Sequence, residues 1–259
     1  MPERPRHPLL DRVTIRSAAD IRPAAEALQA LALSLARLRT AACANIASKE
    51  PMVDASGALL ATEVFGWTGA GLHWWENPRL ALTSPLTTAC RYESEPFWCN
   101  KDGVYTRGHN PLLEELDLDD FFRRAMTEAA IAVPVHLPFG QIGVVSFSPE
   151  EPGRTDLSAE FEAHADVLEL HARKFICGYV KVMNRQRSIQ PDVRLSKREV
   201  ECLRWAALGK TDQEIAAIIS RSAATIRFHI HNAALKLDAV NRSQAVFKAS
   251  QLGYLGAAN

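Results

Sequence analysis

Between Leu195 and Asp238 the chain starts three helices in quick succession, and each start carries its own capping chemistry. In LSKREVECLRWAALGK, Ser196 precedes Glu199 by three positions, the reciprocal pairing in which hydroxyl and carboxylate satisfy backbone N–H groups that no helical carbonyl reaches. Gly209 closes that helix, because a residue without Cβ enters the left-handed region at little cost. TDQEIAAIIS repeats the box with Thr211 and Glu214, and SAATIRFHIHNAALKLD starts at Ser222; SQAVFKASQLGYL, from Ser243, supplies a fourth helix. Helices this short cannot stand alone. They must pack on one another, and Leu203, Ile215, Ile218 or Ile219, Ile226, Ile230, Leu237 and Val246 are spaced to fill one small core.

Charge separates this end from the rest. The chain carries 30 Lys and Arg against 30 Asp and Glu, yet from Asp192 onward there are ten basic residues against six acidic ones, leaving the larger part acidic. A polyanion would therefore meet the C-terminal end. Two short helices joined by a tight turn in a small cationic unit are the elements of a helix-turn-helix reader of double-stranded DNA. Ala223, Ala224, Arg227, His231 and Lys236 share the face left free by the core, and small residues at the helix start let it approach a major groove. Arg227 is placed to fork onto a guanine edge and His231 to meet a base or phosphate. Lys210, Thr211, Ser222, Thr225, Lys236 and Arg242 sit at helix ends and turns, where phosphate contacts that set register are made.

The preceding residues read as mixed α and β. Ala25 to Arg39 has leucines at helical spacing; AACANIAS and GALLATEVFGW read as short strands; Ser84 and Pro85 start a helix, as do Asn110 and Pro111. IAVPVHLPFGQIGVVSFS reads as a hairpin in which Pro134 marks an edge or a bulge. A long helix from about Asp156 to Met183 has an apolar stripe (Leu157, Phe161, Leu168, Phe175, Ile176, Tyr179, Met183) wider than one small sheet needs, which points to a homodimer. Five dispersed cysteines form neither a disulfide framework nor a zinc motif, no stretch is long and apolar enough to span a membrane, and the start lacks a signal-peptide core. A cytoplasmic protein without metal or cofactor is expected, and no enzyme motif is present.

From Pro51 to Cys90 only Asp54, Glu63, Glu76 and Arg79 are charged, while Trp67, His73, Trp74 and Trp75 lie within the segment and Phe97 and Trp98 just beyond it. Aromatic side chains with few charges can line a chamber for a small apolar or aromatic effector, with Ser84, His73, Tyr105 and Ser146 as polar anchors. Adjacent Trp74 and Trp75 cannot both face one side of a strand.

Leu195 to Leu255 resembles the DNA-binding domain of the LuxR/FixJ class of bacterial transcription regulators: LSKRE, GKTDQEIA and TIRFHIHNAALKL stand in order, and Glu199, Leu203 and Gly209 match its characteristic triple. The resemblance implies that the helix from Ser222 reads the major groove through Arg227 and His231, the latter replacing an Arg often found there. The earlier residues lack the aspartate cluster of a receiver and are similar to the autoinducer-binding domain of quorum-sensing members. That likeness implies an α/β fold: an α/β/α sandwich around an antiparallel sheet over residues 1–183 for sensing and dimerisation, a linker over 184–194, and an all-α four-helix reader over 195–259. Trp98 matches a pocket tryptophan of the family. Ser84 stands where acyl-homoserine-lactone receptors carry an Asp before the proline, Ala130 replaces a usual Gly, and the upstream Trp and Tyr spaced four apart have no clean equivalent. These departures point away from a classical acyl-homoserine lactone. A lactone receptor and a ligand-independent dimeric regulator remain the alternatives.

Overall fold

The computed structural model describes residues 8–48, 50–69, 80–183 and 194–256, apart from the side chains of 8, 9 and 81. The chain divides into two compact units, one carrying the sheet and the other the four C-terminal helices.

The sheet unit runs α1 (Pro8–Arg12), α2 (Ile21–Ala36), β1 (Leu38–Cys43), α3 (Leu60–Glu63), α4 (Leu80–Thr83), α5 (Pro85–Tyr92), β2 (Phe97–Asn100), β3 (Gly103–Thr106), α6 (Phe121–Ala125), β4 (Ala129–His136), β5 (Ile142–Pro149) and α7 (Ser158–Met183). Five antiparallel strands lie in the order β1-β5-β4-β2-β3. Strand alternation divides their side chains. Ile131, Val133, Val145 and Phe147 bury with Leu28, Leu168 and Phe175 of α2 and α7, whereas Phe97, Cys99, Ala130, Ala132 and Val144 bury with Leu86, Ala89 and Phe121 of α5 and α6. The α/β/α sandwich expected from the sequence is present.

Several local expectations need correction. The first long helix stops at Ala36, where Arg37 takes a left-handed conformation (φ 53°) and closes it, so β1 follows without a linker and Arg39 lies in a strand. GALLATEVFGW forms the turn α3 and a single bridge, Val53 to Leu59, instead of a strand. Its entry is bent around Asp54, whose carboxylate accepts from the Ser56 and Ala58 N–H groups, a local alternative to ladder pairing. The hairpin forms, but Pro134 is not on an edge strand: β4 is central, and β2 ends opposite Ala132, so its missing N–H falls beyond that neighbour. The α7 stripe is buried in its own unit from Leu157 to Tyr179, with Met183 exposed. It therefore gives no support for a second copy.

The C-terminal unit consists of α8 (Lys197–Ala207), α9 (Asp212–Ile218), α10 (Ala223–Lys236) and α11 (Arg242–Gln251). Both capping boxes form: Ser196 and Glu199 exchange bonds of 3.3 and 2.7 Å, as do Thr211 and Glu214. Ser222 accepts from the Thr225 N–H at 3.1 Å. Asn241, ahead of Ser243, caps the last helix. Leu203, Ala233 and Leu237 form one apolar cluster and Cys202, Ile215, Ile226 and Ile230 another; Ile219 packs inward while Ile218 is exposed.

Candidate functional site

A cavity of about 110 Å³ lies between the β1–β5 side of the sheet and the helices that cover it. Ala41 and Cys43 of β1, Val144 and Ser146 of β5, Ser84, Leu86, Arg124 and Trp67 are in its wall. Trp67 stands against the free edge of β1. Its indole N–H donates to the Thr40 carbonyl at 2.6 Å, and Gln29 Oε1 accepts from the Thr40 N–H at 2.9 Å, so both outward backbone groups at that edge position are satisfied. The Arg39 guanidinium lies 4.3 Å from the Trp67 ring centroid and donates to the Gly66 carbonyl, which fixes the ring from the other side.

The cavity's polar groups are mostly neutral hydroxyls: Ser84, Thr87, Ser146 and Ser148. Burial pushes the Cys43 thiol up to about 12, so it stays protonated. The guanidinium in the wall is already engaged: Arg124 donates to Asp117 and to the Thr83 and Asp119 carbonyls, each at 2.8 Å. No carboxylate is among the described lining residues. A guest here would meet apolar surface, hydroxyls and a paired cation.

Of the residues the sequence singled out for the chamber, Trp67, Ser84 and Ser146 come together around it. Phe97 is fully buried on the same face of the sheet but packs outside the lining. Trp98 and Tyr105 are corrections. They are cross-strand partners stacked with centroids 4.1 Å apart, Trp98 lies opposite Ile131 on β4, and neither is among the described residues that line the cavity. His73, Trp74 and Trp75 lie outside the described residues, as does most of the expected linker over 184–194. Arg39, Cys43 and Arg124 were not anticipated; the alternation of Ala41 and Cys43 along a strand was the available signal.

In the C-terminal unit, Ala224, Arg227 and His231 are exposed on α10, and Arg227 Nε lies 3.7 Å from Asp212 Oδ2. Thr211, Ser222 and Thr225 spend their hydroxyls on local caps, and Lys210 lies 3.8 Å from Glu214. Arg242 donates to Asp212 and to the Lys210 carbonyl. Lys236 differs from expectation: its ammonium donates to both carboxylate oxygens of buried Glu199, at 2.9 and 2.8 Å, tying α10 to α8 rather than standing free for phosphate.

Burial alone would raise the Glu199 pKa, but Lys236 and the Ser196 N–H outweigh it and hold the carboxyl below its usual range. The pair's stabilisation is thus complete above the ordinary carboxylate value of 4.5 and is lost as pH falls through the lower folded value. Lys236→Met should cost roughly 1–2 kcal/mol at neutral pH, limited because the lysine is half exposed, and should flatten the acid limb of stability. Urea titrations of both proteins at pH 7 and pH 3 check this; parallel acid losses would contradict it.

A five-stranded sandwich with a cavity on one side of its sheet, followed by a cationic helix-turn-helix, defines a two-unit transcription regulator. The GerE family model (bacterial regulatory proteins, luxR family) matches residues 193–249. VjbR of Brucella abortus, a quorum sensing-dependent transcriptional regulator, is 32% identical over 195 residues, 67% of this chain and 73% of VjbR. VanR of Vibrio anguillarum, a transcriptional activator, is 36% identical over 128 residues, 49% of this chain and about half of VanR (52%). A structure of SdiA with octanoyl-rac-glycerol aligns over all of both chains at 21% identity and a TM-score of 0.49. The chain belongs to the LuxR-type family of quorum-sensing transcriptional regulators.

Proposed function

We propose that residues 1–183 take up a compact, uncharged, apolar or aromatic effector in the cavity beside Trp67, and that occupancy sets how residues 195–259 grip an operator. Arg227 reads a guanine edge and His231 a neighbouring base or phosphate, with Lys210, Thr211, Ser222 and Thr225 near the backbone. The observation that carries the reading is the cavity's chemistry: a wall mainly apolar, and neutral hydroxyls where a lactone receptor of the family has a carboxylate. A wall of apolar surface and neutral hydroxyls suits an uncharged ring or short chain that needs one hydrogen bond rather than a charged anchor. Ser84 can donate or accept one hydrogen bond but supplies no charge to orient a ligand amide.

Thermal unfolding with single-ring aromatics and with acyl-homoserine lactones of several chain lengths tests this. Saturable stabilisation by members of the first set, with none by the second, is expected; tight, saturable lactone binding would overturn it.

A further inference from the structure

We propose that Asp212 determines DNA specificity by positioning Arg227. This rests on the reading that α10 enters the major groove. Asp212, the first residue of α9, is itself held in place: its Oδ1 accepts from Arg242, whose guanidinium also reaches the Lys210 carbonyl. Its other oxygen lies 3.7 Å from Arg227 Nε. One carboxylate thus joins a held arginine to a more exposed one, since the Arg242 side chain is 34% exposed and that of Arg227 73%.

The chemistry has two consequences. A carboxylate on the Nε side leaves the two terminal nitrogens of Arg227 for the parallel acceptors of guanine, and it restricts a side chain that otherwise samples many rotamers. The same negative charge, set on a face that meets phosphates, weakens binding wherever no guanine repays the approach. Asp212 therefore acts on the ratio of specific to random binding more than on affinity itself. It is a positioning residue, acting on the base through Arg227.

The test begins with selection of a preferred sequence from a randomised duplex pool by the full wild-type chain. Affinities for that sequence and for random duplex are then measured for Asp212→Asn, Asp212→Glu, Arg227→Ala and the Asp212→Asn/Arg227→Ala double variant, each first checked for wild-type helical content. Asp212→Asn should lower discrimination roughly tenfold, within the range of one bidentate base contact, while random duplex is held at least as tightly as before. Asp212→Glu should recover part of the ratio, and in the Arg227→Ala background the Asn substitution should change it no further. Unaltered discrimination in Asp212→Asn would overturn the proposal. So would an equal loss in both backgrounds, which would mean that Asp212 only braces α9 through Arg242. Failure of the wild-type chain to select any sequence would instead remove the DNA reading on which the proposal stands.

Discussion

Replacing Trp67 with alanine is expected to destabilise the sheet unit by about 3–5 kcal/mol, the range for removing a buried indole, and to open the cavity toward the β1 edge. Three losses coincide at this position. The ring's apolar contact with the core goes, the Thr40 carbonyl loses the N–H that reaches it at 2.6 Å, and Arg39 loses the ring beneath its guanidinium. Trp67→Phe separates them: it keeps most of the buried area and the stacking surface but leaves the Thr40 carbonyl without that donor, which costs about 1–3 kcal/mol. Denaturant titration of the three proteins resolves the difference. A cost below about 1 kcal/mol for the alanine variant would mean that the indole is dispensable to the wall.

Ser146→Phe should abolish the response to effector. Ser146 lies on β5 directly opposite Ala41 and Ala132, with two small neighbours across the strands, and opens onto the cavity. A phenyl ring there occupies the space the guest needs, at an overpacking cost of roughly 1–3 kcal/mol if neighbours shift. In the wild-type chain, an effector at a hundred times its Kd adds about 2.7 kcal/mol of stability by mass action, and in the variant this gain should vanish. Affinity for random duplex should stay as it was, since the substitution adds no charge and lies in the sheet unit. Undiminished stabilisation of Ser146→Phe by the same compound would place its binding elsewhere.

What the sequence disclosed follows the range of the interactions involved. Ser196 with Glu199 and Thr211 with Glu214 are three residues apart, so the caps and the helix order were legible, as was the existence of the hairpin of β4 and β5. The cavity was harder, because facing is set by register and a shift of one residue reverses it. Phe97 and Trp98 look alike as neighbours in a pocket motif, yet the pleat sends them to opposite cores. Lys236 looked free for phosphate because its partner, Glu199, is 37 residues away on another helix. Arg39 was assigned to a helix end because nothing local signals that Arg37 turns left-handed one residue before β1.

The most direct test of coupling between cavity and reader is operator affinity measured with and without the compound that most stabilises the wild-type chain, using the duplex that chain selects. A change of at least about tenfold, equivalent to 1.4 kcal/mol of coupling, is expected for the wild-type chain and none for Ser146→Phe. Equal affinity in the presence and absence of a saturating compound would show that the cavity has no hold on DNA binding.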